Sequence, residues 1–96
     1  MSLHELLERV HDRESFFDFV LALADERRID AREEQQNPSS LYGPTRRGWE
    51  NTSIEDFLDA ALRWAQATRM GQTQGLEEEP SWKAFAVFLY LGKIYE

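Results

Sequence analysis

Apolar residues recur at helical spacing in four stretches of the chain, which predicts an all-α fold. The first stretch covers about residues 3–10, and Ser2 and Glu5 form the capping box that opens it. The second begins after Asp12, and its segment FFDFVLALA at 16–24 is apolar at every position but one. A helix that is apolar nearly all round is covered on several sides, so this segment is expected to form the core.

Beyond residue 24 the second helix changes character. The sequence DERRIDAREEQQ, residues 25–36, holds few apolar side chains and places opposite charges three or four positions apart. Such pairs support an isolated helix, so this half is expected to continue into solvent and to end before Asn37 and Pro38.

The third helix follows a second capping box at residues 52–55 and is expected to end near Thr68. Its apolar residues trace one face, which is expected to be buried: Ile54, Phe57, Leu58, Ala61, Leu62 and Ala65. The fourth helix begins near Pro80, and Gly92 is the expected C′ residue, so residues 93–96 form a short extended tail. The aromatic residues expected in the interior are Phe16, Phe19, Phe57, Trp64, Trp82 and Phe85.

A long loop, NPSSLYGPTRRGWEN at 37–51, separates the second and third helices. Its prolines and glycines exclude a helix. A connection of this length is unusual in so small a domain and is either functional or disordered. Leu41, Tyr42 and Trp49 favour a loop that is pinned to the core. The prediction is therefore a compact four-helix single domain over residues 1–96, with a long aromatic loop between helices 2 and 3 and a short extended C-terminal tail.

The net charge of −7 narrows the possible partners. Residues 1–36 and residues 49–79 carry −5 each, residues 80–96 carry +1, and the loop segment 37–48 carries +2. Such a surface repels nucleic acid and anionic lipid and attracts a basic protein, although acidity also serves solubility alone. We therefore expect a basic protein partner, no nucleic acid and no membrane, with the oligomeric state open between monomer and homodimer.

The chain has no cysteine, which excludes disulfides and thiolate chemistry and fits a reducing compartment. Its N-terminus has no basic region followed by an apolar run, so no secretory signal is expected. The longest apolar stretch without a charge, residues 84–92, is far shorter than the roughly 20 residues that cross a bilayer. These features together predict a cytoplasmic protein.

The end of the long loop is the best candidate for a ligand or partner site. Arg46 and Arg47 are adjacent cations in a segment, 37–48, that holds no acidic residue, and arginine and aromatic side chains dominate interface energetics. A guanidinium pair also binds carboxylates or phosphates. The residues predicted for this site are Tyr42, Arg46, Arg47, Trp49, Asn51 and Tyr95. The alternative is internal: Trp49 packs into the core, and the arginines meet the acidic residues of the chain itself.

Catalysis and metal binding are not expected. His4, Glu8 and His11 share one helical face, but the two histidines lie about 10 Å apart along an ideal helix, too far to bind one ion together. The acidic residues at 55–59 are explained by the helix dipole. No serine is paired with a base, and no glycine-rich phosphate loop is present. The sequence therefore predicts no enzyme, no cofactor and no metal.

Three segments, WENTSIEDFL from residue 49, PSWKAFA from residue 80 and GKIYE from residue 92, resemble a family of small bacterial proteins known as a domain of unknown function. The resemblance covers about residues 12–25 and 49–96 and implies no activity. The positions that fit it are Trp49, Asn51, Phe57, Leu58, Trp64, Trp82, Phe85, Ala86, Gly92, Tyr95 and Glu96. It also suggests a packed chain end, with Ile94 and Tyr95 against the 41–51 loop. Tyr95 or the terminal carboxylate would then meet Arg46, Arg47 or the Trp49 indole.

The function that these observations favour is a non-catalytic protein-interaction module. An accessory or immunity-like protein whose acidic helices meet a basic partner is the most concrete form. The alternative is a binder of small molecules or anions that uses the 42–51 loop. A third possibility is self-association through apolar surface around Tyr90 and Leu91.

Overall fold

The computed structural model describes residues 1–39 and 43–96. Within these ranges the chain forms four α-helices, one short 3₁₀ helix and no strand, which confirms the all-α prediction. The elements in chain order are α1 (Leu3–Glu8), α2 (Arg13–Gln36), α3 (Ile54–Thr68), the 3₁₀ helix Gln72–Gln74 and α4 (Trp82–Ile94).

Each α-helix begins at a polar side chain that accepts a hydrogen bond from a backbone N–H in the first turn. The four cap residues are Ser2, Asp12, Ser53 and Ser81. A side-chain oxygen at this position satisfies one of the N–H groups that a helix start leaves without a partner. The local sequence therefore determines where each of these four helices begins.

The fourth helix lies at the centre of the fold. It packs most extensively against α3, and it also contacts α1 and α2. In the described part of the chain, α2 and α3 make no backbone contact with each other, so they flank α4 on two sides. The hydrophobic core consists of Leu7, Val10, Phe19, Leu23, Trp49 and Ala86. This arrangement leaves a groove between α2 and α3.

Gly92 lies inside α4 rather than at its C′ position, and the prediction of a cap there is wrong. A Cβ atom at Gly92 would lie 2.9 Å from two ring atoms of Phe57 and 3.0 Å from the Phe57 carbonyl oxygen. The glycine therefore permits the close approach of α3 and α4, and the helix continues past it to Ile94. The predicted four-residue tail is reduced to Tyr95 and Glu96.

The first helix ends earlier than the sequence predicts, at Glu8. The Lys83 ammonium group donates hydrogen bonds to the carbonyl oxygens of Leu7 and Glu8 at 2.8 and 2.5 Å. A cation at this end satisfies carbonyls that the helix leaves unpaired and favours the negative end of its dipole. A residue of α4 thus fixes where α1 stops.

The buried face of α3 is displaced from the one that the sequence predicts. Its centre consists of Ala60, Ala61, Trp64 and Thr68. The predicted core positions Ile54, Leu58 and Leu62 are 76%, 52% and 50% exposed. On α4, Trp82 and Phe85 are also partly exposed, so their prediction as interior residues is wrong. The chain therefore has more apolar surface than its own helices cover.

Candidate functional site

Four carboxylates on one face of α2 hold the loop that follows it. They are spaced three or four positions apart, which places them on the same side of a helix: Glu26, Asp30, Glu33 and Glu34. All four accept hydrogen bonds from loop residues. The expectation that the second half of α2 continues into solvent is therefore wrong on this face.

Asp30 is the buried member of this set, with no exposed surface. One carboxylate oxygen accepts the backbone N–H of Arg47, and the other accepts Arg27 Nη1, both at 3.1 Å. A buried carboxylate is tolerated only when it is paired and hydrogen-bonded, and Asp30 is both. The side chain thus joins the loop backbone to α2.

Glu33 and Glu34 hold the two arginines that the sequence placed in a binding site. Glu33 forms a two-point ion pair with the Arg47 guanidinium, and this hydrogen bonding lowers the pKa of Glu33. Glu34 accepts the hydroxyl and N–H of Ser39 and the backbone N–H of Arg46, at 2.6, 2.7 and 2.8 Å. These hydrogen bonds lower the pKa of Glu34 to about 2, and the bond from the Ser39 hydroxyl has the largest effect.

Trp49 is pinned between the helices and is only 4% exposed. Its ring stacks on Phe57 with a centroid distance of 6.2 Å, and its indole N–H donates to Glu26 at 2.9 Å. The same Glu26 oxygen lies 2.6 Å from the buried Lys93 ammonium group, which faces the Trp49 ring. Three segments therefore meet at this indole.

Asn51 joins the loop to the end of α4. Its side-chain amide donates to the carbonyl oxygens of Gly92 and Tyr95 at 3.0 and 2.9 Å. The backbone N–H of Glu50 donates to the Lys93 carbonyl at 3.0 Å. The expected contact between loop and chain end is therefore present. Its partners differ from those expected, because Arg46 and Arg47 bind α2.

The Tyr95 ring lies beside the Arg63 guanidinium, 6.0 Å from ring centroid to Cζ. A side-chain hydrogen bond between Glu50 and Glu96 raises the pKa of Glu50, because two carboxyls can share a hydrogen bond only when one of them is protonated. Arg46 Nη2 donates to the Asn37 carbonyl at 2.9 Å. The structure thus brings Arg46, Arg47, Trp49 and Asn51 into one internal network with the chain end, and Leu41 and Tyr42 lie outside the described residues.

Glu34→Gln is expected to lower the free energy of unfolding at pH 7. A carboxyl whose pKa is lowered on folding contributes stability above its ordinary pKa of 4.5, and the contribution is lost as the pH falls towards about 2. Urea unfolding of wild type and variant at pH 7 and pH 3 should therefore show a gap that narrows in acid. A gap of equal size at both pH values contradicts the assignment.

Glu50→Gln provides a control of opposite sign. Because the folded state raises the pKa of Glu50, its ionised form opposes folding near neutral pH. This variant is expected to be at least as stable as wild type at pH 7.

An apolar groove of about 410 Å³ lies between α2 and α3. Its lining is Val20, Leu23, Ala24, Arg27, Trp49, Asn51, Thr52, Ser53, Ile54, Phe57, Leu58 and Leu89. Ile54 and Leu58 form the α3 wall, and the same exposed stripe continues beyond the groove to Leu62 at a four-residue interval. On α2, Val20, Leu23 and Ala24 line the other wall, whereas Phe17 and Leu21, which are 53% and 60% exposed, do not line the groove.

Acidic side chains border the groove on the α3 side. Glu55 and Asp59 each follow a stripe residue by one position, on the side away from the core, and both are exposed. An apolar surface rimmed by polar residues marks an interaction site. The sequence contains the signal for this groove, because the apolar sector of α3 is wider than one buried face needs.

One cluster of a hydroxyl, a carboxylate and an imidazole lies at the start of α2. His11, Asp12 and Ser15 lie close together, but the Ser15 hydroxyl donates to the Asp12 carboxylate at 2.6 Å and lies 3.5 Å from His11 Nδ1. This cluster is the cap of α2 and is exposed. Residues 1–39 and 43–96 hold no group of three or more metal-ligating side chains, and none of their helices has the length and apolar character for a bilayer crossing.

Comparison with known proteins gives a family but no activity. No curated protein and no solved structure matches the chain. A family model described as a family of unknown function, DUF7660, matches residues 12–96. The match includes α2, the pinned loop, α3 and α4, and so extends over the segment 37–48 that the sequence resemblance left out. The chain therefore belongs to the DUF7660 family of proteins of unknown function.

Proposed function

We propose that this protein is a non-catalytic interaction module that holds an amphipathic helix of another protein in the groove between α2 and α3. The observation that carries the proposal is the exposure of apolar side chains along the α3 wall. Ile54 and Leu58 each leave more than half of their surface in water. Soluble monomers rarely leave such a band uncovered without a partner.

A helix suits this groove better than an extended segment. The walls are themselves helices, α2 and α3, and they flank α4 without backbone contact between them in the described residues. Apolar residues three or four positions apart on a docked helix would fill such a site, as in other helix-in-groove complexes. The described part of the chain offers no sheet edge to which an extended peptide could add.

The charge of the rims favours a basic partner of a different sequence. Glu55 and Asp59 along the α3 side would meet lysine or arginine side chains of the docked helix. A second copy would bring the same acidic residues and a further net charge of −7, and like charges oppose association. An accessory or immunity-like role fits a small acidic protein that covers a basic segment of a partner.

The alternative of an anion site at Arg46 and Arg47 has less support. Arg47 is bound to Glu33, and Arg46 is bound to Glu34 through its backbone and to Asn37 through its guanidinium. An incoming anion would have to displace these partners. The groove is already open.

The experiment compares Leu58→Glu and Ile54→Glu, which both change residues that line the groove, with Ile29→Glu. Ile29 is 41% exposed on α2 but does not line the groove, so Ile29→Glu is a matched control for an added charge on an apolar surface. The partner captured from native extract by the wild type is identified, purified and titrated against each variant. We expect the two groove variants to bind at least about tenfold more weakly and Ile29→Glu to bind like wild type.

The bound segment of the partner, mapped by limited proteolysis, should be an amphipathic helix with basic residues along one edge, and binding should weaken with salt. A partner that binds Leu58→Glu as tightly as wild type contradicts the proposal. A homodimer of the wild type that Leu58→Glu dissociates in sedimentation also contradicts the proposal, because a second copy of the chain would then occupy the groove.

A further inference from the structure

The side of α2 opposite its buried residues carries a charged seam. Six exposed positions recur there at alternating intervals of four and three residues, the spacing at which one helix packs along another: Glu14, Asp18, Leu21, Asp25, Arg28 and Arg32. The first two positions are acidic, and the last two are basic. None of the six lines the groove, so this seam is a second surface, separate from the proposed binding site.

The order of charges along the seam fits a second copy of the same seam that runs in the opposite direction. When a two-fold axis passes beside residue 23, position 14 of one copy lies opposite position 32 of the other, and position 18 lies opposite position 28. Two copies then form four pairs of opposite charge, Glu14 with Arg32 and Asp18 with Arg28, each twice. A parallel arrangement would place each charge opposite its like. The charge pattern therefore selects the antiparallel direction.

The charged groups of the seam are available for these pairs. Asp18 and Arg32 have no ion-pair partner among residues 1–39 and 43–96, and Glu14 pairs there only with the adjacent arginine, at 3.8 Å. Arg28 pairs with Asp25 of its own helix. A guanidinium group has enough N–H donors to bind a second carboxylate at the same time. A second copy therefore has no strong internal contact to displace.

Leu21 gives the seam an apolar centre. Its side chain is 60% exposed, and Phe17, one turn earlier at the edge of the seam, is 53% exposed. With the axis beside residue 23, the two copies of Leu21 lie about one helical turn apart along the pair, close enough to pack on each other. The seam thus combines an apolar contact at the axis with opposite charges on either side, which fix the register of the two helices.

We infer that two copies of this chain associate through the seam as an antiparallel, two-fold symmetric dimer. The net charge of −7 on each copy opposes association, but at physiological salt the Debye length is about 8 Å, so charges that face each other across the seam outweigh distant ones. The seam is only about 27 Å long, and small interfaces are typical of weak association, so we expect a dissociation constant on the order of 10–100 μM. The groove stays open in this dimer.

Sedimentation equilibrium of the full chain at concentrations up to about 1 mM measures the dimer. Glu14→Lys/Asp18→Lys is expected to weaken it at least about tenfold, because lysines then lie opposite the basic end of the second seam. Each replacement adds two charges, so the net charge changes from −7 to −3, and net charge alone predicts a tighter dimer. Glu55→Lys/Asp59→Lys, with the same net charge but outside the seam, should dimerise at least as well as wild type.

A mixture of reversed variants separates a lost interface from a lost fold. Arg28→Glu/Arg32→Glu makes the seam wholly acidic and should be monomeric alone. It should form a mixed dimer with Glu14→Lys/Asp18→Lys, because all four facing pairs are then again of opposite charge. Oxidative crosslinking gives the direction, since the chain has no cysteine of its own. Glu14→Cys and Arg32→Cys should crosslink when mixed and not separately.

Three results would overturn the inference. They are a wild type that is monomeric at about 1 mM, a Glu14→Lys/Asp18→Lys variant that dimerises like wild type, and reversed variants that do not associate when mixed. Leu58→Glu should leave the dimer intact, because Leu58 lines the groove and lies on a different helix from the seam. The partner bound in the groove is titrated separately, so a failure of the dimer is distinguishable from a failure of the proposed function.

Discussion

Replacing Trp49 by alanine is expected to lower the free energy of unfolding by about 3–5 kcal/mol, the usual cost of truncating a buried large aromatic residue. The indole is 4% exposed, stacks on Phe57 and donates to Glu26. Its removal would leave a cavity where three segments meet and would take a partner from the Glu26 carboxylate. Urea unfolding followed by circular dichroism measures the loss.

Two further variants separate the causes of this loss. Trp82→Ala removes the same side chain from a site that is 37% exposed, so its effect should be clearly smaller. Trp49→Phe keeps most of the ring volume but deletes the N–H, which isolates the hydrogen bond to Glu26. If Trp49→Ala and Trp82→Ala proved equally destabilising, Trp49 would not be the residue that pins the loop.

Asp30→Ala is expected to cost about 2–3 kcal/mol, because it leaves a loop N–H and a guanidinium without their acceptor. The side chain is fully buried and accepts hydrogen bonds from Arg27 and from the backbone of Arg47. Urea unfolding gives the free energy, and hydrogen exchange at Arg47 should become faster because this N–H loses its acceptor.

The matched control is Asp25→Ala, which breaks an i,i+3 ion pair with Arg28 on the exposed side of the same helix. Exposed pairs contribute only about 0–1 kcal/mol, so this variant should be nearly as stable as wild type. Equal losses in Asp30→Ala and Asp25→Ala would show that the buried carboxylate does not organise the loop.

The helical part of the fold follows from local sequence. Apolar spacing and the capping-box pattern that begins at Thr52 predict the start of α3 within one residue, since the observed cap is Ser53. Asp12 and Pro38 predict the two ends of α2. These signals act within one turn of the chain, so they can be read without knowledge of its neighbours. The same reasoning failed at Gly92, because a glycine that admits a neighbouring helix has the same local pattern as a glycine that ends one.

The groove could not be read from the sequence in the same way. Ile54, Leu58 and Leu62 have the spacing of a buried face, and only the position of α2 relative to α3 leaves them exposed. Which part of a wide apolar sector is covered depends on helix packing, a non-local property. The sequence feature that indicated the groove was the width of the apolar sector on α3.

The internal role of the loop arginines was one of two alternatives at the sequence level. The residues Glu26, Asp30 and Glu33 do recur at helical spacing, which places a carboxylate stripe on α2. The sequence does not show that this stripe faces the 45–51 segment rather than water. The packing of the loop against α2 determines which of these two surroundings the carboxylates have. It therefore also determines whether they bind the loop of the same chain or are available to another protein.

The bonds of Asn51 have a consequence for the order in which the protein matures. Its amide reaches carbonyl groups 41 and 44 positions further along the chain, at Gly92 and Tyr95. Ribosomes release the N-terminal part first, and contacts between distant positions form slowly. The end of the loop therefore lacks these two hydrogen bonds until Gly92 and Tyr95 have been synthesised. Until then, the apolar side of α2 is open to chaperones and proteases.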